Sequence, residues 1–319
     1  MATFQDLLNA ISDPQQHWQV RLQLMQEIEA HTGRWLIVYA ANFRRSSPTA
    51  PNSIEERDLI GFSDLIDGAT TNKLDVLVHS PGGSAEVTEQ IVDLLRSKFD
   101  DIRFIVPHMA MSAATMLCLS GNAILMDERS ALGPIDPQIR IPLPTGEVWL
   151  PAQVIIDEFE RAQRTIADNP SMLPIYLPWL SQFGPYVQIC RNALDLSKEL
   201  VQNWMREFMF AGETDAADKA QRIANYFADH NLHKSHARTI RINQVIAQGV
   251  KVLDMRQDQK LRDLVWRLYC AIDLLFERTL IVKLFENPHG VNWSRLTPQQ
   301  SPSEIPPVVR PQQPLPKVP

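Results

Sequence analysis

Residues 104–126 contain no Asp, Glu, Lys or Arg. That is long enough to cross a bilayer, which takes about 20 predominantly apolar residues. However, Pro107, His108, Ser112, Ser120, Gly121 and Asn122 interrupt the run. A charge-free stretch broken by turn formers is the signature of a strand, a helix and a second strand buried together in an α/β core. The segment up to Val106 is apolar and extended, and a helical pattern follows Ser112. Upstream, residues 74–80 read as another buried strand that runs into Pro81-Gly82-Gly83, with a helix from about 84 to 98. Together with a first strand at 35–40 and a helical pattern over 54–68, residues 34–126 alternate strand and helix. Such alternation predicts a parallel sheet with crossover helices.

Ser112 therefore sits among small residues at a strand-to-helix junction. There its hydroxyl is near the positive end of the helix dipole, and the amide of Ala113 is free for an anion. The same position suits a helix N-cap, the commonest use of a serine at such a point. Glycines let a backbone approach a ligand and aim an N–H at it. Gly82 and Gly83 on one turn and Ala113 on the other are therefore candidates for an oxyanion hole.

Three motifs in order carry a resemblance. Strand-Ser80-Pro81-Gly82-Gly83-helix is followed by a Pro-x-x-Ala-x-Ser-Ala-Ala segment at 107–114, then by Ala123-Ile124-Leu125-Met126-Asp127 and Leu132-Gly133-Pro134-Ile135-Asp136-Pro137-Gln138. This pattern resembles the serine dehydrogenase proteinase family of the Clp-fold serine peptidases, whose more distant relatives are the Clp proteolytic subunit and the bacterial signal peptide peptidases. The match is strongest over 73–139, with weaker parts at 34–41 and 236–253. It implies an α/β fold: a Clp/crotonase-like spiral of βαβ units with a largely parallel sheet, followed by a helical C-terminal extension and a disordered Pro-rich tail. It also implies a serine peptidase.

A serine needs a base. The Clp proteolytic subunit carries a histidine about two dozen residues after its serine, and the signal peptide peptidases bring in a lysine from elsewhere. Here the corresponding stretch carries Asp136, and His236 falls about where the Clp subunit has its aspartate. The resemblance thus implies Ser112 as nucleophile, His236 as base and Asp136 as its orienting partner. Asp136 between two prolines also suits a turn residue bonded to its own backbone, and His236 a satisfied histidine. His79 and His108 suit strand-end packing, although both are close enough in sequence to reach the site. His230, His233 and His236 invite a zinc reading, but no cysteine pair or histidine-glutamate motif supports it. No cofactor or metal is expected. Two other readings keep the fold: an inactive scaffold that binds peptides, supported by the missing standard base, and a crotonase-type acyl-thioester enzyme.

The net charge of −6 and pI near 5.8 argue against a nucleic-acid surface. Cys118, Cys190 and Cys270 are far apart and in apolar settings, which predicts reduced thiols in a cytoplasmic protein. The first residues show no basic, apolar signal pattern. The expected partners are a peptide or unfolded-protein substrate and further copies of the chain, without a direct membrane span.

The expected organisation is an N-terminal helical segment over 1–33, the Clp-fold peptidase domain over 34–255 and a C-terminal helix over 256–286, strongest at 257–278. Within the domain, a hairpin turning at Thr145-Gly146 leads to a helical insertion over about 151–230. An apolar stripe at helical spacing over 193–210 reads as core or as a subunit interface. Nine of the 23 prolines lie in 288–319, so 287–319 reads as a disordered tail with two formal PxxP matches, Pro311 to Pro314 and Pro316 to Pro319, available to a partner protein.

Overall fold

The computed structural model describes residues 5, 14–47, 50–143 and 146–297. The centre is a seven-stranded sheet in the order β10-β5-β3-β2-β1-β11-β12. Its parallel part consists of β1 (Trp35–Ala41), β2 (Lys73–His79), β3 (Asp101–Ile105), β5 (Ala123–Met126) and β10 (Val252–Asp254). Helix α2 (Asp58–Ile66) links β1 to β2, and α3 (Ala85–Arg96) links β2 to β3. Successive residues of a strand point to opposite faces, and both faces are covered. Trp35, Ile37, Tyr39, Val76 and Val78 enter one apolar cluster with α2 and α3. Leu36, Val38, Ala40 and Leu77 enter a second cluster with α1 (Pro14–Thr32) and α11 (Gln259–Arg278). The near-continuous apolar strands follow from this two-sided burial.

Residues 104–126 form the expected buried strand, helix and strand. The end of β3, the short strand β4 (Met109–Ala110), α4 (Ala113–Leu119) and β5 follow one another, and every residue of α4 is buried. Strand β6 (Ala131–Leu132) pairs with β4 and with β9 (Ile240–Arg241) in a small separate sheet. The hairpin of β7 (Gln138–Leu143) and β8 (Gly146–Pro151) is present; Thr145, assigned to its turn, lies outside the described residues. Helices α5 (Ala152–Asp168), α6 (Leu173–Phe183), α7 (Val187–Trp204), α8 (Ala216–Ala228) and α9 (His230–His233) follow, and α10 (Ile242–Ala247) leads to β10.

Two expectations are corrected. The C-terminal segment 256–286 is not one helix, because α11 ends at Arg278 and residues 281–286 form β11 (Ile281–Glu286), antiparallel to β1. Strand β12 (Asn292–Leu296) then pairs with β11, so 287–297 does not belong to the tail. The charged residues of β11 have partners inside the core. Lys283 is fully buried with its Nζ 2.7 and 2.8 Å from the two Asp58 carboxylate oxygens, and Glu286 is fully buried against Arg21. The rest of the tail, with both PxxP matches, lies outside the described residues. The stripe over 193–210 is core, one of the two readings given to it: Leu200, Val201, Trp204, Met205 and Met209 are buried in the main cluster. Helix α6 does carry exposed apolar side chains: Leu173 is 44%, Ile175 68% and Leu177 53% accessible.

Candidate active site

Ser112 lies between β4 and α4 with φ 51° and ψ −124°. Only it and Lys234 have positive φ among the described non-glycine residues. Such a conformation costs of the order of 1–3 kcal/mol and persists only where its surroundings over-determine it. The surroundings here do so. Ser80 N donates to Met109 O at 3.1 Å and Met111 N to Ser80 O at 2.9 Å, while Ala114 N closes back on Met111 O at 2.9 Å. Thr115 Oγ1 donates to Ala110 O at 2.8 Å and accepts from Gly133 N at 2.9 Å. The N-cap reading fails, because the Ser112 hydroxyl makes no cap hydrogen bond.

The facing turn is tied from both sides. Gly82 has φ 96° and packs against the serine turn: a Cβ on it would lie 2.5 Å from Met111 O and 2.8 Å from Ala113 N. Its amide donates to Ser80 Oγ at 3.2 Å and its carbonyl accepts from Ile54 N at 2.7 Å. The Gly82 amide, expected beside that of Gly83 in an oxyanion hole, is thus engaged within its own turn. Gly83 pairs with Ile54 as an isolated parallel bridge, and Ser84 caps α3 by accepting from Val87 N at 3.1 Å. The amides of Gly83 and Ala113 donate no hydrogen bond to another described residue. Both residues line a cavity of about 630 Å³ together with Ser112 and His236. Met116, Ile135, Ile139, Leu196 and Trp149 supply much of its apolar wall.

Asp136 is delivered by the Gly133-Pro134-Ile135 segment, which Ile135 N fastens to Phe227 O at 2.9 Å. Its carboxylate is 1% exposed and does not turn back on its own backbone. Oδ1 is 2.7 Å from His236 Nδ1, Oδ2 is 2.8 Å from His230 Nδ1, and Gln138 Nε2 donates to Oδ2 at 3.2 Å. A carboxylate oxygen accepts, so each histidine presents an Nδ1–H to Asp136 and has Nε2 as its other ring nitrogen. Lys234, left-handed at φ 65°, reverses the chain after α9 and brings His236 back beside Asp136. His233 is not a third ligand, since its Nε2 lies 2.7 Å from Tyr226 O. Among the described residues no cluster of His, Cys, Asp or Glu could hold a metal.

The structure thus brings His236 to Asp136, and both Ser112 and His236 to one cavity, but among the described residues no hydrogen bond joins Ser112 to His236. His79 and His108 do not line the cavity: His79 shares the sheet face of Leu77, and His108 Nδ1 is 3.0 Å from the Tyr269 hydroxyl on α11. Burial, then the charge of His108, holds the His79 pKa down to about 3. Desolvation likewise lowers that of His108. Cys118, Cys190 and Cys270 are buried free thiols. Sequence reasoning missed His230 as a partner of Asp136, because the spacing of 230, 233 and 236 groups the three histidines, whereas the turn at Lys234 separates them.

A family model described as ClpP-like SDH-type serine proteinase matches residues 66–264. Two curated proteins of Methanocaldococcus jannaschii are similar. "Uncharacterized protein MJ0137" is 41% identical over 100 residues, covering 31% of this chain and 32% of that protein. "Uncharacterized protein MJ1495" is 29% identical over 152 residues, covering 48% and 44%. The chain therefore spans less than half the length of these relatives. Among solved structures, two mutant forms of the 1510-N membrane-bound stomatin-specific protease, one with a substrate peptide, are 14% identical. They cover 66% and 64% of this chain and 79% and 70% of theirs, with TM-scores of 0.39 and 0.37. No helix among the described residues is long and apolar enough to cross a membrane.

Proposed function

The chain belongs to the ClpP-like SDH-type serine proteinase family, and on that premise we propose that it hydrolyses peptide bonds through an acyl-enzyme on Ser112. The Ser112 hydroxyl attacks the scissile carbonyl while His236 Nε2 takes its proton. Asp136 holds the His236 Nδ1–H and stabilises the imidazolium that forms. The amides of Gly83 and Ala113 receive the oxyanion. The same imidazolium protonates the leaving amine, and water then repeats the sequence to release the acid. One observation carries this reading: a strained serine whose hydroxyl caps no helix shares a cavity with a histidine oriented by a buried carboxylate. Unliganded enzymes often hold catalytic groups more loosely than their complexes do.

The test is labelling with a fluorophosphonate probe. The adduct is expected on the peptide containing Ser112, and is expected to be lost in Ser112→Ala and strongly slowed in His236→Ala. A second reading, a scaffold that binds peptides without cleaving them, draws on the missing Ser112–His236 hydrogen bond. It predicts peptide binding without labelling. Association of copies is part of the proposal too. Its support lies in the exposed apolar side chains of α6, and light scattering at micromolar concentration tests it.

A further inference from the structure

We infer that His230 is a positioning residue of the Ser112 site: it holds the second oxygen of Asp136 and shares that carboxylate's charge with His236. The inference rests on the peptidase reading for its effect on turnover, but on geometry alone for the shared carboxylate. Asp136 is 1% exposed, so water cannot hold its oxygens in place, and each oxygen has its own imidazole, at 2.7 and 2.8 Å. A carboxylate bonded through one oxygen can still swing about its last side-chain torsion. Bonds to both oxygens fix that torsion, and with it the ring of His236.

The two histidines are not equivalent. His236 is 28% exposed and lines the cavity; His230 is 12% exposed and does not. His230 is itself held from behind. Asp229 caps α9 by accepting from Leu232 N at 2.9 Å, and Asn231 Nδ2 donates to Asp157 of α5 at 3.2 Å. Helix α5 of the insertion is thereby linked to His236 through Asn231, His230 and Asp136.

When His236 takes the serine proton, its imidazolium is stabilised by the Asp136 carboxylate, whose orientation His230 fixes. The other charged groups around His230 are Asp229 at its own helix cap, Asp157 across Asn231, and Arg238, whose guanidinium donates to the carbonyls of Leu232 and His233.

Steady-state peptide hydrolysis by the full chain tests this. His230→Ala is expected to lower kcat roughly 10–100-fold, the range for groups that orient a catalytic residue from behind, with KM nearly unchanged because His230 does not touch the cavity. His230→Asn places an amide N–H where Nδ1–H was. It should restore most of kcat. Wild-type kcat in His230→Ala, or no recovery of kcat in a folded His230→Asn, would overturn the proposal. His230→Asn keeps the test open should the alanine variant fail to fold.

Low-field proton NMR on Ser112→Ala protein provides a readout independent of turnover. Two Nδ1–H resonances are expected, and His230→Asn should remove one. Turnover with only the His236 resonance present would overturn the shared carboxylate. Both resonances without any turnover in the wild type would overturn the peptidase reading and leave the hydrogen-bond arrangement standing.

Discussion

Gly82 packs against Ser112 so closely that a methyl group on the glycine would lie 2.7 Å from the serine's own Cβ. The turn that presents the Gly83 amide and the turn that presents the Ser112 hydroxyl are thus in contact, and their spacing depends on a missing side chain. Gly82→Ala should destabilise the fold by about 1–3 kcal/mol, from overpacking and from positive φ together. It should also abolish Ser112 labelling. Gly184, with nothing near its missing Cβ and an ordinary φ, is the control: Gly184→Ala should leave labelling and urea midpoint essentially unchanged.

Ser112→Ala should abolish hydrolysis at almost no cost in stability, because the hydroxyl caps no helix. Ser112→Gly should be equally inactive but more stable than Ser112→Ala by about 1 kcal/mol or more, since glycine adopts φ 51° without strain. Chemical denaturation of the two variants measures the difference, and a less stable glycine variant would contradict the strain.

Asp136→Asn and His236→Ala should each lower turnover by roughly 10²–10⁴-fold. If Asp136 acts through His236, the double variant should be little worse than the worse single one, because such residues work as a unit. Multiplying effects in kcat would show that Asp136 and His236 act separately.

His79 binds a proton near pH 6.5 when unfolded but only near pH 3 when folded. Between those values the unfolded chain carries the extra proton, so stability contributed through His79 rises with pH across the window and is lost as pH falls. His79→Phe should flatten the dependence of the urea midpoint between pH 4 and 6 relative to the wild type, by up to about 1.4 kcal/mol per pH unit. Parallel curves for the two proteins would refute the buried neutral histidine.

Lys283→Met should destabilise by about 3–5 kcal/mol, because it leaves the Asp58 carboxylate buried without its cation. Adding Asp58→Asn should recover part of the loss, as no uncompensated charge then remains. Urea unfolding of the single and double variants checks the order.

The strand-turn-helix order of residues 74–119 was legible from the chain alone because its signals are local: an apolar strand, a glycine pair, and a serine between small residues opening a helix. Two-sided burial of the strands and the meeting of two turns follow from that order. Asp136 and His236 were placed by resemblance to a family pattern, not by spacing. Their 2.7 Å contact depends on the Ile135–Phe227 anchor and the reversal at Lys234, which bring together residues 100 positions apart. Only the tertiary structure decided the rest. His230 is a partner of Asp136 because a carboxylate from a distant segment lies between it and His236. Residues 281–286 are a core strand and not a continuing helix because Asp58 and Arg21, more than two hundred residues away, neutralise Lys283 and Glu286. Burial of a charge is decided by its partner, and local sequence does not record partners that come from elsewhere in the chain.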